Sequence, residues 1–140
     1  MRAIQYFNFR NSLAALNFYE KHLGATNIRR VGGDDARFQD MPDDYKVDDD
    51  FTMHASFDIM GETFYCSDTY KHRKIDNSGA IVSLTFDYDD EADRQRAIDF
   101  YGRAIEDGCE ASIPLGETAW SKLYGIFNDP FGVTWMINAE

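Results

Sequence analysis

The chain has 140 residues, of which 44% are hydrophobic and 15% aromatic, and a formal net charge of −11 at pH 7. This size and composition predict one compact globular domain. The acidic balance argues against nucleic acid and anionic membranes as partners, because both attract basic surfaces, and no apolar run approaches the ~20 residues of a membrane span.

The first half of the chain predicts a strand, a helix and then further strands. Residues 3–9 form the first strand, and Ser12 is expected to cap a helix that ends at Gly24, where a left-handed conformation is possible. The next strand is residues 27–31. A hairpin then turns at Gly61, with predicted strands at residues 52–60 and 63–68.

Between these strands, residues 32–50 are rich in Asp and Gly and have little hydrophobic pattern. We expect a long mobile loop here, and a loop of this length is often functional. Residues 70–79 are polar and predict a linker between the two halves of the chain.

The second half repeats the plan of the first. Residues 80–87 alternate between apolar and polar side chains, as a half-buried strand does. Asp89 or Asp90 is expected to cap the second helix, which Gly108 ends. The closing strands are predicted at residues 110–115, 123–128 and 133–138.

The two halves also share a sequence signature, since Phe18-Tyr19 in the first helix recurs as Phe100-Tyr101 in the second. The element order is βαβββ twice, which predicts an α+β fold. We expect one domain of residues 1–140, with module one at 1–69 and module two at 78–140. The two modules would form a paired, cup-shaped sheet with a central cleft, and the helices would cover the convex faces.

This order resembles the vicinal oxygen chelate superfamily, which contains glyoxalase I, the bleomycin resistance proteins and the extradiol dioxygenases. The resemblance covers nearly the whole chain and rests most on residues 17–25 (NFYEKHLGA) and 129–138 (DPFGVTWMIN). Within the superfamily the chain is similar to the PhnB-like branch, through residues 53–57 (MHASF), 117–121 (ETAWS) and the Trp-Met-Ile-Asn ending at Trp135.

Catalytic members of that superfamily hold a divalent metal with four strand residues, usually His, Glu or Gln. The resemblance places these four positions, at the floor of the cleft, on Gln5, Tyr65, Ile81 and Met136. Of these, Gln5 is a plausible ligand, Ile81 offers no lone pair, and the Met136 thioether is a soft donor. We therefore predict no metal and no other cofactor, and a register slip to Ser67 or Ser83 would still give no His/Glu set.

Strand parity and composition then predict a cleft that is largely apolar with a few hydrogen-bonding groups. Such a cleft suits a planar or aromatic molecule, and the negative charge favours a neutral or cationic one. The predicted lining residues are Gln5, Phe7, His54, Tyr65, Ser67, Asp68, Ser83, Thr85, Trp120, Tyr124, Met136 and Asn138.

Three of these residues have two interpretations. His54 is a polar group of the cleft or a structural histidine at a strand edge or dimer contact. Asp68 either anchors a ligand amine or caps the linker. Trp120 either stacks on a ligand or belongs to the core, whereas Trp135 is expected in the core beneath the second helix.

The resemblance favours a metal-free protein that binds a small molecule. The alternative is a metal-dependent lyase, isomerase or dioxygenase with an atypical ligand set. A homodimer is expected, because long strand edges and aromatic surface need cover. Without a signal peptide, and with Cys66 and Cys109 as two reduced thiols, we expect a cytoplasmic location.

Overall fold

The computed structural model describes residues 1–70 and 73–140. The chain divides into two compact units, Met1–Ile75 and Asp76–Glu140, which we call module one and module two. The division falls inside the stretch that was predicted as a linker, of which Lys71 and His72 lie outside the described residues. The prediction that the whole chain is one domain stays a prediction.

Module one is a βαβββ unit. Its strands form a four-stranded sheet in the order β1-β4-β3-β2, in which β1 runs parallel to β4 and the other pairs are antiparallel. Two short 3₁₀ turns, Ala36–Phe38 and Asp43–Tyr45, lie between β2 and β3. The elements are β1 (Tyr6–Phe9), α1 (Ser12–His22), β2 (Thr26–Gly32), β3 (Thr52–Ile59) and β4 (Glu62–Asp68).

Module two repeats the arrangement with the sheet order β5-β8-β7-β6, and β5 runs parallel to β8. Its elements are β5 (Ile81–Phe86), α2 (Glu91–Glu106), β6 (Glu110–Gly116), β7 (Tyr124–Asn128) and β8 (Thr134–Ala139). The prediction of an α+β protein with two βαβββ modules is therefore confirmed. That the two modules surround a cleft stays a prediction.

The helix boundaries follow from capping groups, and one predicted cap was wrong. Asn11 caps α1, because its side-chain oxygen accepts a hydrogen bond from the Ala14 amide at 3.0 Å, and Ser12 is the first helical residue instead. Asp90 caps α2 in the same way by accepting from the Asp93 amide at 3.0 Å. Gly24 takes the predicted left-handed conformation, with φ at 68°.

Each helix covers one face of its own sheet, and aromatic side chains fill the space between them. In module one, Phe7 stacks on Phe57 and Phe64 with centroid distances of 6.5 and 5.8 Å, while Tyr19 of α1 meets Phe57 at 5.5 Å. Phe7 is buried in this layer. The prediction that Phe7 lines an open ligand cleft was therefore wrong.

The core of module two is built around Trp135, which is fully buried. Its ring lies against Phe127 at 6.5 Å and Phe100 of α2 at 6.0 Å. The indole N–H donates to the carboxylate of Asp129 at 3.0 Å, so the one polar atom of the ring is satisfied. The prediction that Trp135 is a core residue beneath the second helix is confirmed.

No helix within residues 1–70 and 73–140 is long and apolar enough to cross a membrane.

Candidate functional site

The helix-free face of module one, which we call the open face of module one, carries a group of three rings. Tyr6 lies directly opposite Tyr65 in the parallel β1–β4 pair, and Tyr65 lies opposite Ser56 of β3. Because side chains alternate along a strand, His54 shares the face of Ser56. The topology therefore brings Tyr6, His54 and Tyr65 together from three strands.

The three side chains are in mutual contact. The rings of His54 and Tyr65 lie 5.0 Å apart in an edge-to-face arrangement, and Tyr6 lies 5.9 Å from His54 and 6.4 Å from Tyr65. The Tyr6 hydroxyl and His54 Nδ1 are 3.5 Å apart, at the outer limit of a hydrogen bond. The Arg2 guanidinium lies 3.5 Å from the Tyr65 hydroxyl.

This group can bind a flat molecule and orient it. Tyr6 is 42% exposed and His54 is exposed as well, so their ring surfaces are accessible within the module. Aromatic surface supplies stacking or edge contacts, whereas two hydroxyls and an imidazole supply hydrogen-bond donors and acceptors. His54, Tyr65 and Tyr6 therefore form a mixed aromatic and polar surface.

A carboxylate lies on the same face at the other end of β3. Asp58 accepts hydrogen bonds from the side chains of Asn27 at 2.7 Å and Thr63 at 2.8 Å. The hydrogen bond from Asn27 lowers the pKa of Asp58 most, and the bond from Thr63 lowers it further. The carboxylate therefore stays ionised. The open face of module one thus has a fixed negative group near the β3–β4 turn.

The remaining predicted site residues of module one lie in three different environments. Gln5 precedes β1 and is exposed; its side-chain amide donates to the Tyr6 carbonyl at 3.3 Å. Ser67 lies opposite Asn8 and shares the face of Tyr65. Asp68 has the opposite parity, and its carboxylate accepts from the Ser12 amide at 2.6 Å and the Thr52 amide at 3.1 Å.

Asp68 is therefore a capping residue of helix α1. The predicted alternative that it caps the linker was wrong, because the backbone amides that it binds belong to α1 and to the start of β3. A carboxylate at the first turn of a helix is stabilised by the positive end of the helix dipole.

In module two, the predicted residues fall together on the helix-free face of the sheet, which we call the open face of module two. Paired residues of neighbouring strands share a face, and the pairs here are Ser83 with Met136, Thr85 with Asn138 and Tyr124 with Asn138. The hydroxyls of Ser83 and Thr85 lie 3.2 Å apart. Tyr124 is largely buried.

Trp120 lies in the loop between β6 and β7 and is 70% exposed. Its ring meets that of Tyr124 edge-on at 5.4 Å. The interpretation of Trp120 as a core residue was therefore wrong, and its stacking on a ligand stays a prediction.

Tyr6, Asp58 and Ile126 share the open faces but were absent from the sequence-based set. Tyr6 was missed because the parity of the first strand was assigned in the wrong register. Phe7 and Phe9 alternate with Tyr6 and Asn8, but a strand of four residues with aromatic rings on both faces gives no clear apolar side. Ile126 lies opposite Met136 and is recognisable only from the strand pairing.

The four positions that the resemblance predicts for a metal in this chain do not carry a suitable donor set. Ile81 lies opposite Thr134 and has a hydrocarbon side chain, and Met136 supplies only a thioether. Within the described part of the chain, no group of three or more His, Cys, Asp or Glu side chains is arranged to hold a metal ion. The residues present therefore do not fit the divalent site of the superfamily's enzymes.

Two successive βαβββ units, each with its first strand parallel to its last, define the class of glyoxalase-fold proteins. The model of the Glyoxalase/Bleomycin resistance protein/Dioxygenase superfamily matches residues 10–137. The chain belongs to this superfamily.

Solved structures share this fold over the whole chain. Protein PA1353 from Pseudomonas aeruginosa is 29% identical with a TM-score of 0.72, and the match covers 100% of this chain and 98% of that one. The PhnB protein from Bacillus cereus is 20% identical with a TM-score of 0.68, with full coverage of both chains.

A more distant match is a mutant of the fosfomycin resistance protein FosX from Listeria monocytogenes, complexed with Mn(II) and a dihydroxypropylphosphonic acid. It is 13% identical with a TM-score of 0.61, and the match covers 100% of this chain and 92% of that one. At this identity the likeness concerns the fold alone. A search of curated proteins gave no match.

Proposed function

We propose that this chain binds a planar or aromatic small molecule on the open faces of its sheets, without a metal ion, as a PhnB-like member of its superfamily. The observation that carries the proposal is the contact group of Tyr6, His54 and Tyr65, which offers exposed ring surface and hydrogen-bonding atoms together. Superfamily membership supports small-molecule binding in general.

The chemistry of the side chains supports binding without a metal. The open face of module two offers hydroxyls, a thioether and an amide at Ser83, Thr85, Met136 and Asn138. Divalent ions of the kind used for oxygen chelation prefer carboxylate and imidazole ligands. A metal-dependent lyase, isomerase or dioxygenase would need a different ligand set from the one predicted at these strands.

The charge of the chain supports a neutral or cationic ligand. The formal net charge is −11, and Asp58 adds a fixed carboxylate to the open face of module one. A negative field lowers the local concentration of anions and raises that of cations.

Binding at the two faces can be tested by titration with three probes: indole as the neutral ring, 1-methylpyridinium as the cation and benzoate as the anion. In ¹⁵N-labelled protein, the backbone amides of module one and the imidazole of His54 report module one, and the indole Nε1–H resonance of Trp120 reports module two. We expect indole and 1-methylpyridinium to shift the resonances of His54 and Tyr65. Replacing Tyr65→Leu should weaken this binding about tenfold, because the edge-to-face ring surface is lost.

Tyr45→Leu is the matched control, because Tyr45 is an exposed tyrosine in a 3₁₀ turn away from the ring group. Equal losses in both variants would contradict the proposal, as would preferential binding of benzoate. Elemental analysis of the purified protein tests the proposal that no metal ion is needed, because a stoichiometric divalent ion would favour the metal-dependent alternative.

The predicted homodimer and cytoplasmic location belong to this proposal as well. Sedimentation at micromolar concentration tests the dimer, since a 16.1 kDa species would contradict it.

A further inference from the structure

Module one contains a concave feature whose lining residues are distinct from the ring group. It is a pocket of about 660 Å³, a volume within the range of small-molecule sites. Its wall is formed by three segments: the start of α1 at Arg10 and Asn11, residues 46–51 of the loop before β3, and the end of β4 from Asp68 to Tyr70. Neither Tyr6, His54 nor Tyr65 contributes to it.

One wall of this pocket is aromatic. Phe51 and Tyr70 lie with their ring centroids 5.5 Å apart and their planes inclined by 32°. Both residues are only partly exposed, so they offer a continuous ring surface at the side of the cavity. Such a surface binds an apolar group and attracts a cation to its faces.

The positive groups of the pocket are already engaged by the protein itself. The guanidinium of Arg10 donates to the carbonyl oxygen of Tyr70 at 3.0 Å and to that of Arg73. The start of α1 is occupied by the carboxylate of Asp68, and the ammonium of Lys46 lies 3.0 Å from Asp43. An incoming anion would have to share these groups with the acceptors that they already have.

The carboxylates of Asp48 and Asp50 are in the opposite situation. Both residues contribute to the pocket wall. Their side chains make no hydrogen bond or ion pair with the residues that the structure describes, although their backbone carbonyls do. The charge left uncompensated in this pocket is therefore negative.

The segment that carries these carboxylates is held in place at its base. The Arg30 guanidinium donates to the Asp50 carbonyl at 2.7 Å and to the Thr52 hydroxyl at 2.8 Å. Gly33 packs so closely that a Cβ there would lie 2.2 Å from the Asp48 carbonyl oxygen. Since both ends of the long β2–β3 connection are fixed in this way, the pocket is largely formed before any ligand arrives.

We propose that this pocket binds a small organic cation, an ammonium or amidinium group attached to an apolar body. The apolar body lies against Phe51 and Tyr70, and the charged group faces Asp48 and Asp50. This site is separate from the open faces, so it does not depend on the function proposed above.

The test compares three probes of the same shape on ¹⁵N-labelled full-length protein: 2-phenylethylammonium, neutral 2-phenylethanol and anionic 3-phenylpropionate. We expect 2-phenylethylammonium to shift the amides of residues 46–51 and 68–70 and to bind about tenfold more tightly than 2-phenylethanol, because only the ammonium is attracted by the carboxylates. Binding should weaken as salt is added, since the carboxylates are solvent-accessible.

The double variant Asp48→Asn, Asp50→Asn should reduce the preference for the ammonium over the alcohol to about twofold or less. Asp44→Asn is the matched control, because Asp44 is an exposed acid of the same loop that does not line the pocket. Tyr65→Leu is the second control and should leave this binding unchanged. The proposal is overturned if no probe shifts these amides at millimolar concentration, if the anion binds best, or if both Asp variants behave alike.

Discussion

The two modules have the same topology and different surfaces. Both have a central antiparallel pair, an outer parallel pair and one helix on one face. On the open face, module one presents a ring group with a histidine, whereas module two presents hydroxyls, an amide and a thioether. The difference shows that the duplicated part is the helix-covered core, while the open faces and the connections have diverged.

The connections differ as well. Between the second and third strands, module one has a long segment with two 3₁₀ turns that forms one wall of the pocket, whereas module two has a short loop that carries exposed Trp120. Loops tolerate such changes because their backbone groups face water or local partners rather than the core. If the two modules bind different ligands, the difference should therefore come from these segments and from the open faces.

The largest expected effect concerns the core of module two. Trp135→Ala removes a fully buried ring and leaves the Asp129 carboxylate without its indole donor. We expect the free energy of unfolding to fall by about 3–5 kcal/mol, measured by chemical denaturation. Phe57→Ala is the corresponding change in module one and should cost a similar amount. A near-neutral result for Trp135→Ala would mean that the strand parity of module two is inverted.

A smaller loss of stability is expected when the carboxylate at the start of α1 is replaced, and little loss is expected at the start of α2. Asp68 accepts the Ser12 N–H at Oδ1 and the Thr52 N–H at Oδ2, so an Asn side chain would turn its NH2 group towards one of these donors. Asp68→Asn should therefore lower the free energy of unfolding by about 1–3 kcal/mol. Asp90→Asn is the control in module two, where the side chain accepts from Asp93 alone and Asn caps a helix as well as Asp does. Equal losses for both variants would contradict this difference.

The buried thiols of Cys66 in module one and Cys109 in module two allow the two modules to be compared as a function of pH. Burial raises the pKa of Cys66 and of Cys109 from 9.0 to about 12. The folded protein thus favours the neutral thiols, and this contribution to stability is present below pH 9 and is lost as the pH rises towards 12. We expect slow labelling of both thiols by a disulfide reagent at pH 8 in the native state, and fast labelling in denaturant.

The labelling rates of the two thiols should follow their exposure. Cys66 is fully buried, whereas Cys109 is 6% exposed and should react first. The single variants Cys66→Ala and Cys109→Ala assign each rate to its module. Rapid labelling of Cys66 in the native protein would argue against the packing described for β4.

The smallest expected effect is on stability at the exposed tryptophan. Trp120→Phe should change the free energy of unfolding by less than about 0.5 kcal/mol, because Trp120 is 70% exposed. The emission spectrum of the Trp120→Phe variant should distinguish the two tryptophans. The remaining emission comes from buried Trp135 and should lie at shorter wavelength. An unchanged emission maximum would contradict the exposure of Trp120.

The sequence by itself determined the element order and the duplication, because strand alternation, helix caps and glycine stops are local signals. It also identified the superfamily and most of the residues of module two that share the open face, with Ile126 as an exception. Trp135 was predicted in the core for the same reason: it alternates with Thr134 and Met136 along one strand.

Only the tertiary structure decided the parity of β1, the contacts of Asp68 and the pocket beside α1. β1 is four residues long, so its alternation is too short to choose a face, and the choice depends on which rings fit beneath α1. Asp68 meets Ser12 across 56 positions of the chain. The pocket joins three distant segments, because the ends of β1 and β4 and the loop before β3 converge only after the sheet has formed.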